Sequence, residues 1–574
     1  MSRQCAIRTG FMVLAAARAM IAAETPGPVA NDQVVSLPPL IVESREAPLP
    51  WRYLEAPGME VLSVCDDPAT EAFVRRCLQL EHALRVILPE KYQAHSSVPD
   101  TLILFNDDLS RARSQEVMNA MLQREGGGAT VSGPLNLSVL PGVRSTAPRV
   151  MFLPNLRLWD EDATAVFAAI REQQAERLEF TFLTDRIASL VELRTPALPD
   201  WFVEGMIGFY ARTNLAPDTI GVDSAVWTTE AETRALAEDP DRPRTLLSMP
   251  AMLAGRRAKA GSETGNDRLW AAQCALFVRW AMVDNEGEHR AALWTLVDRL
   301  EKEAMSEGLF RECFGFGYSD LRDRLSDYLP AAMKTTAKIS VPKMSGLPEL
   351  KSRAPTEVEI ARIRGDWERM EISLVKKRYP AVVEKYVEQA KRTLMTPYDH
   401  GARDPLLLAI IGLTAIDAGD AAGARAYLEA AARGKAVRPR AYVELARLRY
   451  EEAMSRSGQD ELDAVQTGRI LEPLFEADGM QPRLPEVYGT MAEVWRRSVA
   501  TPTSEQLARF TAGVRFFPAF SPLVLRAIYL NASNGQLEAA AELASAGLLH
   551  APDAATRRSF EKVLDEINQR GMSH

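Results

Sequence analysis

Hydrophobic and polar positions follow different periods in successive parts of the first half of the chain. Apolar runs at residues 60–65, 101–105 and 149–153 predict short strands. Between the first two runs, apolar residues recur at helical spacing from Thr70 to Leu88. Asp160 is interpreted as a helix N-cap, because a largely helical pattern follows it through Ala332. The pattern therefore predicts strands first and helices afterwards.

The last third of the chain carries a helical pattern that repeats. Ala446 follows Gly412 by 34 residues (446 − 412), and Pro552 follows Pro518 by the same interval (552 − 518). This is the length of a tetratricopeptide repeat, a helix pair that buries its apolar face by stacking on its neighbours. An irregular bundle of Ala-rich hairpins without a binding role is the alternative. The repeat positions are Leu408, Ile411, Gly412 and Ala415 in a first helix, Ala424, Leu428 and Ala431 in a second, and Tyr488, Met491, Ala492 and Trp495 in a later first helix.

Chain length and a change in composition predict the domain organisation. A chain of 574 residues is too long for one hydrophobic core. Spaced prolines with Ser and Gly between residues 335 and 356 indicate a linker or an extended crossing segment. We therefore expect an α+β domain at residues 34–335, a linker at 336–365 and an all-α repeat domain at 366–570.

One stretch in the first domain has the spacing of a known motif. Its residues Leu198, Pro199, Trp201, Glu204, Gly205 and Tyr210 fit the pattern LPxWxxEGxxxxY. The stretch resembles the peptidase MA-like, or gluzincin, domains of bacterial envelope proteins, in which this Glu is the third zinc ligand after the two histidines of an HExxH helix. The resemblance implies a zincin-like fold, with a small sheet covering the motif helix.

The HExxH motif itself is degenerate. The resemblance places it at residues 178–182, where Leu178 and Phe182 replace the two histidines and only Glu179 is kept. Leucine and phenylalanine offer no lone pair to zinc, so we expect no metal, no cofactor and no hydrolysis. Glu179, Glu204 and Tyr210 are then vestigial. Two alternatives stay open: an ordinary amphipathic helix at residues 171–194, and a hydrolase with an atypical site built on Glu179 and Glu204.

The amino terminus resembles an export signal. Arg3 and Arg8 precede an apolar run at residues 10–23, which predicts a signal peptide at residues 1–23 and a periplasmic or extracellular protein. Removing it would leave Cys65, Cys77, Cys274 and Cys313. A Cys274–Cys313 disulfide is favoured over other pairings such as Cys65–Cys77, and buried thiols are the alternative.

Charge and hydropathy narrow the choice of partners. The formal net charge of −9 argues against a general nucleic-acid binder. No apolar run of eighteen or more residues is present, so we expect no membrane span in the mature chain. Repeat arrays usually bind proteins or peptides, and the expected function is a non-catalytic pseudopeptidase scaffold that recruits such a partner.

Overall fold

A computed structural model gives the fold of most of the chain. It describes residues 50–106, 156–170, 187–188, 191, 194–210, 213–216, 218–225, 227, 245–257, 265–342, 348–378, 380, 383–457 and 461–571. The expected signal peptide, the strand expected at residues 149–153, and Leu178, Glu179 and Phe182 lie outside these described residues.

The first half contains a five-stranded mixed sheet. Its order is β1-β2-β3-β5-β4, in which β2, β3 and β5 run parallel and the two edge strands run antiparallel to their neighbours. The strands are β1 (Arg52–Ala56), β2 (Met59–Ser63), β3 (Asp100–Asn106), β4 (Leu156–Trp159) and β5 (Thr164–Ile170). The strands expected at residues 60–65 and 101–105 are confirmed as β2 and β3.

A long helix covers one face of this sheet. Helix α1 (Asp67–Ile87) begins at Asp66, whose side chain accepts a hydrogen bond from the Ala69 amide over 2.7 Å. Phe73 and Cys77 of the helix pack into one core with Val61 and Leu104 of the sheet. The helix predicted from Thr70 to Leu88 is confirmed, because its apolar stripe faces this core.

The interpretation of Asp160 as a helix N-cap is wrong. Asp160 follows β4 and closes a turn in which its amide donates to the carbonyl of Ala163 over 2.9 Å. The next residues form β5, which lies between β3 and β4. Its Ala-rich sequence does not favour a strand, but pairing with β3 along six residues and burial of Ala165, Val166 and Ala168 override that local preference.

Helices and a small second sheet complete the first half. Strands β6 (Thr213–Ala216), β7 (Thr219–Val222) and β8 (Ala337–Ser340) form an antiparallel sheet. A shared apolar core, which includes Phe277, Trp280 and Phe310, joins the helices. These helices are α2 (Asp200–Tyr210), α3 (Met249–Ala254), α4 (Gly265–Val283), α5 (Arg290–Arg299), α6 (Glu307–Phe314) and α7 (Tyr318–Ala332).

The segment expected to be a linker is held against the first half at several points. It contains β8, which pairs with β7. Leu350 is buried in the core between the sheet and α1. The backbones of Tyr53 and Arg353 exchange two hydrogen bonds of 2.8 and 2.9 Å. The next helix begins at Glu357.

The remainder of the described chain consists of consecutive helices, each of which packs against the next one along the chain. Close packing explains the small repeat residues: a methyl group added to Gly412 would lie 2.7 Å from the Leu428 side chain. The expected helical pattern is confirmed here. The helices are α8 (Glu357–Arg378), α9 (Val383–Asp399), α10 (Pro405–Asp417), α11 (Ala421–Arg433), α12 (Pro439–Ser457), α13 (Ala464–Asp478), α14 (Pro485–Arg497), α15 (Ser504–Val514), α16 (Ser521–Ser533), α17 (Leu537–Leu549) and α18 (Ala554–Gly571).

Candidate functional site

The motif that resembles a gluzincin helix forms α2. Its first turn is fixed by Pro199, whose carbonyl accepts hydrogen bonds from the amides of Phe202 (2.9 Å) and Val203 (3.0 Å). Trp201 and Phe202 are buried, and Glu204 lies on the more open side of the helix with 23% of its side chain exposed. The helix is therefore a mostly buried core element with two carboxylates, Asp200 in its first turn and Glu204 at its edge.

The glycines of α2 are required by packing against α4. A methyl group added to Gly205 would lie 2.4 Å from Val278 Cγ2 and 2.8 Å from the Cys274 carbonyl oxygen. One added to Gly208 would lie 2.6 Å from the Ala275 methyl group. The Gly that follows Glu204 in the motif thus has a structural reason that is independent of catalysis.

Glu204 is engaged by a cation. Its Oε2 accepts a hydrogen bond from Arg257 Nε at 2.9 Å. This pair offsets the charge that a metal ligand would contribute. Among the residues that the structure describes, no group of three His, Cys, Asp or Glu side chains is placed to hold a metal ion.

Tyr210 lies inside the core and not at a surface. The residue is 1% exposed, and its hydroxyl has no hydrogen-bond partner within the described part of the chain. Burial raises the pKa of this phenol above its ordinary value. Tyr210 therefore stays protonated.

Cys274 and Cys313 do not form the favoured disulfide, and both are free thiols. Cys274 is fully buried where α4 meets Gly205, and burial, followed by the nearby charge of Glu204, raises the pKa of its thiol. Cys313 lies on α6 beside the Arg299 guanidinium. The two side chains thus face different neighbours.

A cavity lies away from the motif, between the first half and the repeat helices, which are helices α8–α18. Its volume is about 330 Å³, and its lining includes Lys91, His95, Arg194, Gln481 and Phe516. Two cationic side chains of the lining already have acidic partners: Lys91 pairs with Asp298, and Arg194 pairs with Glu301. The cavity therefore offers no uncompensated charge from these two side chains.

A dense cluster of buried charges joins the β4–β5 turn to helices α8, α10 and α12. The acidic turn consists of Asp160, Glu161 and Asp162. The arginine cluster consists of Arg369 on α8 and of Arg438 and Arg440 at the start of α12, which are 1%, 2% and 10% exposed. Sequence reasoning missed this cluster entirely.

Asp160 is the centre of the cluster. One carboxylate oxygen lies 2.5 Å from Arg369 Nη2, and Arg440 Nη1 lies 2.7 and 2.8 Å from the two oxygens. Arg438 Nη2 contacts the same carboxylate at 3.4 Å. Burial alone would raise the pKa of Asp160, but the three guanidinium groups together hold it well below its usual range. Asp160 is thus a fixed anion.

Asp162 and Glu161 carry the remaining charge of the acidic turn. Asp162 is fully buried, with Arg438 Nε at 3.0 Å and the Arg440 amide donating to it over 2.7 Å. Burial nevertheless raises the pKa of Asp162. Burial also raises the pKa of Glu161 to about 7, against the opposing charge of Arg440, although half of its side chain is exposed.

Two further aspartates hold the arginine cluster from within the repeat helices. Asp366 on α8 pairs with Arg369 Nε at 2.7 Å and with Arg438 Nη1 at 3.0 Å. Asp417, at the end of α10, pairs with Arg369 Nη1 at 2.9 Å and with Arg440 Nη2 at 2.8 Å. The guanidinium groups therefore have partners on both sides.

Two local signals point to this cluster once the fold is known. The acidic triplet at residues 160–162 directly follows a strand, and two arginines flank Pro439 at the start of a helix. Each signal is ordinary on its own, since charged residues are common in turns and at helix ends. Their proximity depends on packing between elements more than 270 residues apart (438 − 162).

Comparison with known proteins assigns no family: no family model matches the chain, and a search of curated proteins gave no match. No helix among the described residues is long and apolar enough to cross a membrane.

Proposed function

We propose that the protein is a non-catalytic scaffold of the cell envelope, with a degenerate metallopeptidase-like domain and a tetratricopeptide-like array that binds a protein or peptide partner. The observation that carries this proposal is the Glu204–Arg257 pair at 2.9 Å. Arg257 occupies Oε2 of this carboxylate, so a metal ion would have to compete with the guanidinium group for that oxygen. Replacement of both motif histidines by Leu178 and Phe182 points the same way.

The repeat helices favour a binding role. In repeat proteins, stacked helix pairs form an extended surface, and such arrays usually bind peptides or proteins. Six large apolar side chains are exposed among the described residues, and five of them lie in the helical half: Val437, Val465, Val499, Phe520 and Tyr529. These positions sample the surface of the helical half and therefore serve as crosslinking sites for a bound partner.

The metal content of the purified full-length protein tests whether the peptidase-like domain is non-catalytic. We expect well under one zinc per chain. The double change Leu178→His, Phe182→His puts histidines at the two positions where the gluzincin resemblance expects them, at a cost of about a few kcal/mol before metal is added. Zinc should then raise the melting temperature of the double variant but not of the wild type. Adding Glu204→Gln to the double variant is the matched control and should remove most of that rise.

Each alternative outcome has a clear meaning. Stoichiometric zinc in the wild-type chain would overturn the non-catalytic assignment and favour the hydrolase built on Glu179 and Glu204. A folded double variant whose melting temperature ignores zinc would show that residues 178 and 182 do not face Glu204, and the gluzincin resemblance would fail.

Site-specific photo-crosslinking in the native host tests whether the repeat helices bind a protein partner. A photoreactive amino acid placed at Val465 or Tyr529, which are 81% and 54% exposed, should give discrete protein adducts. The same group at Val86 on α1, 42% exposed, is the control and should give none. Adducts from Val86 alone would move the binding surface away from the repeat helices and contradict the proposal.

A further inference from the structure

Every arginine of the cluster contacts both the repeat helices and the acidic turn. Asp366 or Asp417 pairs with each guanidinium from the repeat side, while Asp160 reaches all three from the turn. Asp366 and Asp417 therefore hold all three guanidinium groups from the repeat side, independently of the contacts that the turn makes. Such preorganised guanidinium groups match the geometry of carboxylates.

The balance of charge differs with and without the turn. Three arginines face two repeat aspartates, which leaves one positive charge in excess within the cluster. When the turn is in place, Asp160 adds a fixed negative charge that contacts all three guanidinium groups, and Asp162 adds a second acidic group. The charge of Asp160 alone balances the excess, so a further anion would find no uncompensated cation in the arginine cluster.

We propose that the arginine cluster is a carboxylate-recognition pocket of the repeat array, filled by the chain's own acidic turn, so that an acidic segment of a partner engages it only in competition with that turn. The proposal rests on the binding role proposed for the repeat helices and names the chemistry of the partner. The pocket distinguishes two carboxylates at positions i and i+2. The first is bound through both oxygens by guanidinium groups, and the second accepts a hydrogen bond from the Arg440 amide and lies 3.0 Å from Arg438 Nε.

The spacing follows from the contacts of the turn. Asp160 and Asp162 point into the pocket, whereas Glu161 between them is half exposed and reaches Arg440 only at 3.6 Å. A partner segment therefore needs acidic residues at alternate positions in an extended or turn conformation. The residue between them is free to vary.

Weakening the internal ligand provides the test. The full-length variant Asp160→Asn, Asp162→Asn keeps the shape of the turn but removes both charges. Fluorescence anisotropy then measures binding of a labelled synthetic peptide with the sequence of residues 157–167. We expect the variant to bind this peptide at least about tenfold more tightly than the wild type does, because each 1.4 kcal/mol corresponds to a factor of ten. A peptide carrying Asn at positions 160 and 162 should bind neither protein.

A further substitution locates the binding. Adding Arg440→Gln to the double variant should abolish the gain in affinity. The exposed Arg558→Gln on α18 is the matched control and should leave the gain intact. Peptide binding that survives Arg440→Gln, or equal binding of the acidic and amide peptides, would overturn the proposal.

Hydrogen exchange on the wild-type chain keeps the proposal testable if the double variant does not fold. At millimolar concentration, the acidic peptide should speed exchange in residues 156–168, while residues 438–445 stay protected by the replacement ligand. Unchanged hydrogen exchange in residues 156–168 at saturating peptide would show that the peptide does not displace the turn, and the proposed competition would be wrong. That result, together with crosslinks from Val465 or Tyr529, would leave the proposed binding function of the repeat helices standing.

Discussion

The backbone amide of Arg440 donates a hydrogen bond to the carboxylate of Asp162 over 2.7 Å, although 278 residues separate them in the chain. The bond joins the β4–β5 turn of the five-stranded sheet to the first turn of α12. A second tether lies on β2, where Glu60 accepts from the Tyr53 hydroxyl at 2.8 Å and pairs with Arg362 of α8. Polar contacts therefore fix the position of the sheet against the first repeat helices.

Removal of the central charge of the cluster should destabilise the fold. In Asp160→Asn, the buried Arg369 and Arg440 lose one of the two carboxylates that they share and keep only Asp417, and such a loss costs on the order of 3 kcal/mol. Urea unfolding monitored by circular dichroism measures the change. Asp565→Asn on the exposed face of α18 is the control and should change the free energy of unfolding by less than about 0.5 kcal/mol. Equal effects in the two variants would contradict the role of Asp160.

Glu161 should make stability fall as the pH rises. Burial raises the pKa of its carboxyl from an ordinary 4.5 to about 7 in the folded state. The folded chain thus holds this proton more tightly than the unfolded chain does, and that advantage is present below pH 4.5 and is lost on the way to pH 7. The melting temperature of Glu161→Gln minus that of the wild type should therefore increase across this range and level off above it. The exposed Glu388→Gln should show no such trend.

Two glycine-to-alanine substitutions should change the free energy of unfolding in opposite directions. Gly205→Ala places a methyl group 2.4 Å from Val278 Cγ2 and should destabilise the protein by about 1–3 kcal/mol through overpacking. Gly489→Ala on α14 meets nothing within 4 Å and should stabilise it by about 0.5–1 kcal/mol, because alanine favours a helix over glycine. Thermal unfolding of both variants measures the difference. A stable Gly205→Ala protein would mean that α2 and α4 are less closely packed than described.

Two buried tyrosines should respond differently to loss of the hydroxyl. Tyr92 donates to the Trp294 carbonyl at 3.1 Å and to Asp298, so Tyr92→Phe should cost about 1 kcal/mol. Tyr210 has no hydrogen-bond partner in the described part of the chain, so Tyr210→Phe should be neutral or stabilising. Denaturant unfolding compares the two variants. A comparable loss in Tyr210→Phe would show that a group outside the described residues bonds to this hydroxyl.

Local patterns in the sequence were enough to predict much of the secondary structure. The period of the apolar residues predicted α1, β2 and β3 and the helix pair that contains Gly412, because each element buries a face whose spacing is visible in the sequence. The motif at residues 198–210 predicted a helix edged by Glu204. These features depend on neighbours a few residues apart, so a linear pattern carries them.

The sequence alone determined that Leu178 and Phe182 stand where the gluzincin resemblance expects histidines, and it carries the two 34-residue intervals. The tertiary structure decided what Asp160, Glu204 and the arginine cluster contact. Asp160 matched a helix cap because a short polar residue before an apolar run fits either a cap or a strand turn. Arg257 lies 53 residues from Glu204, and Arg440 lies 280 residues from Asp160. Pairs of this kind depend on which surfaces pack together, and no local period records that.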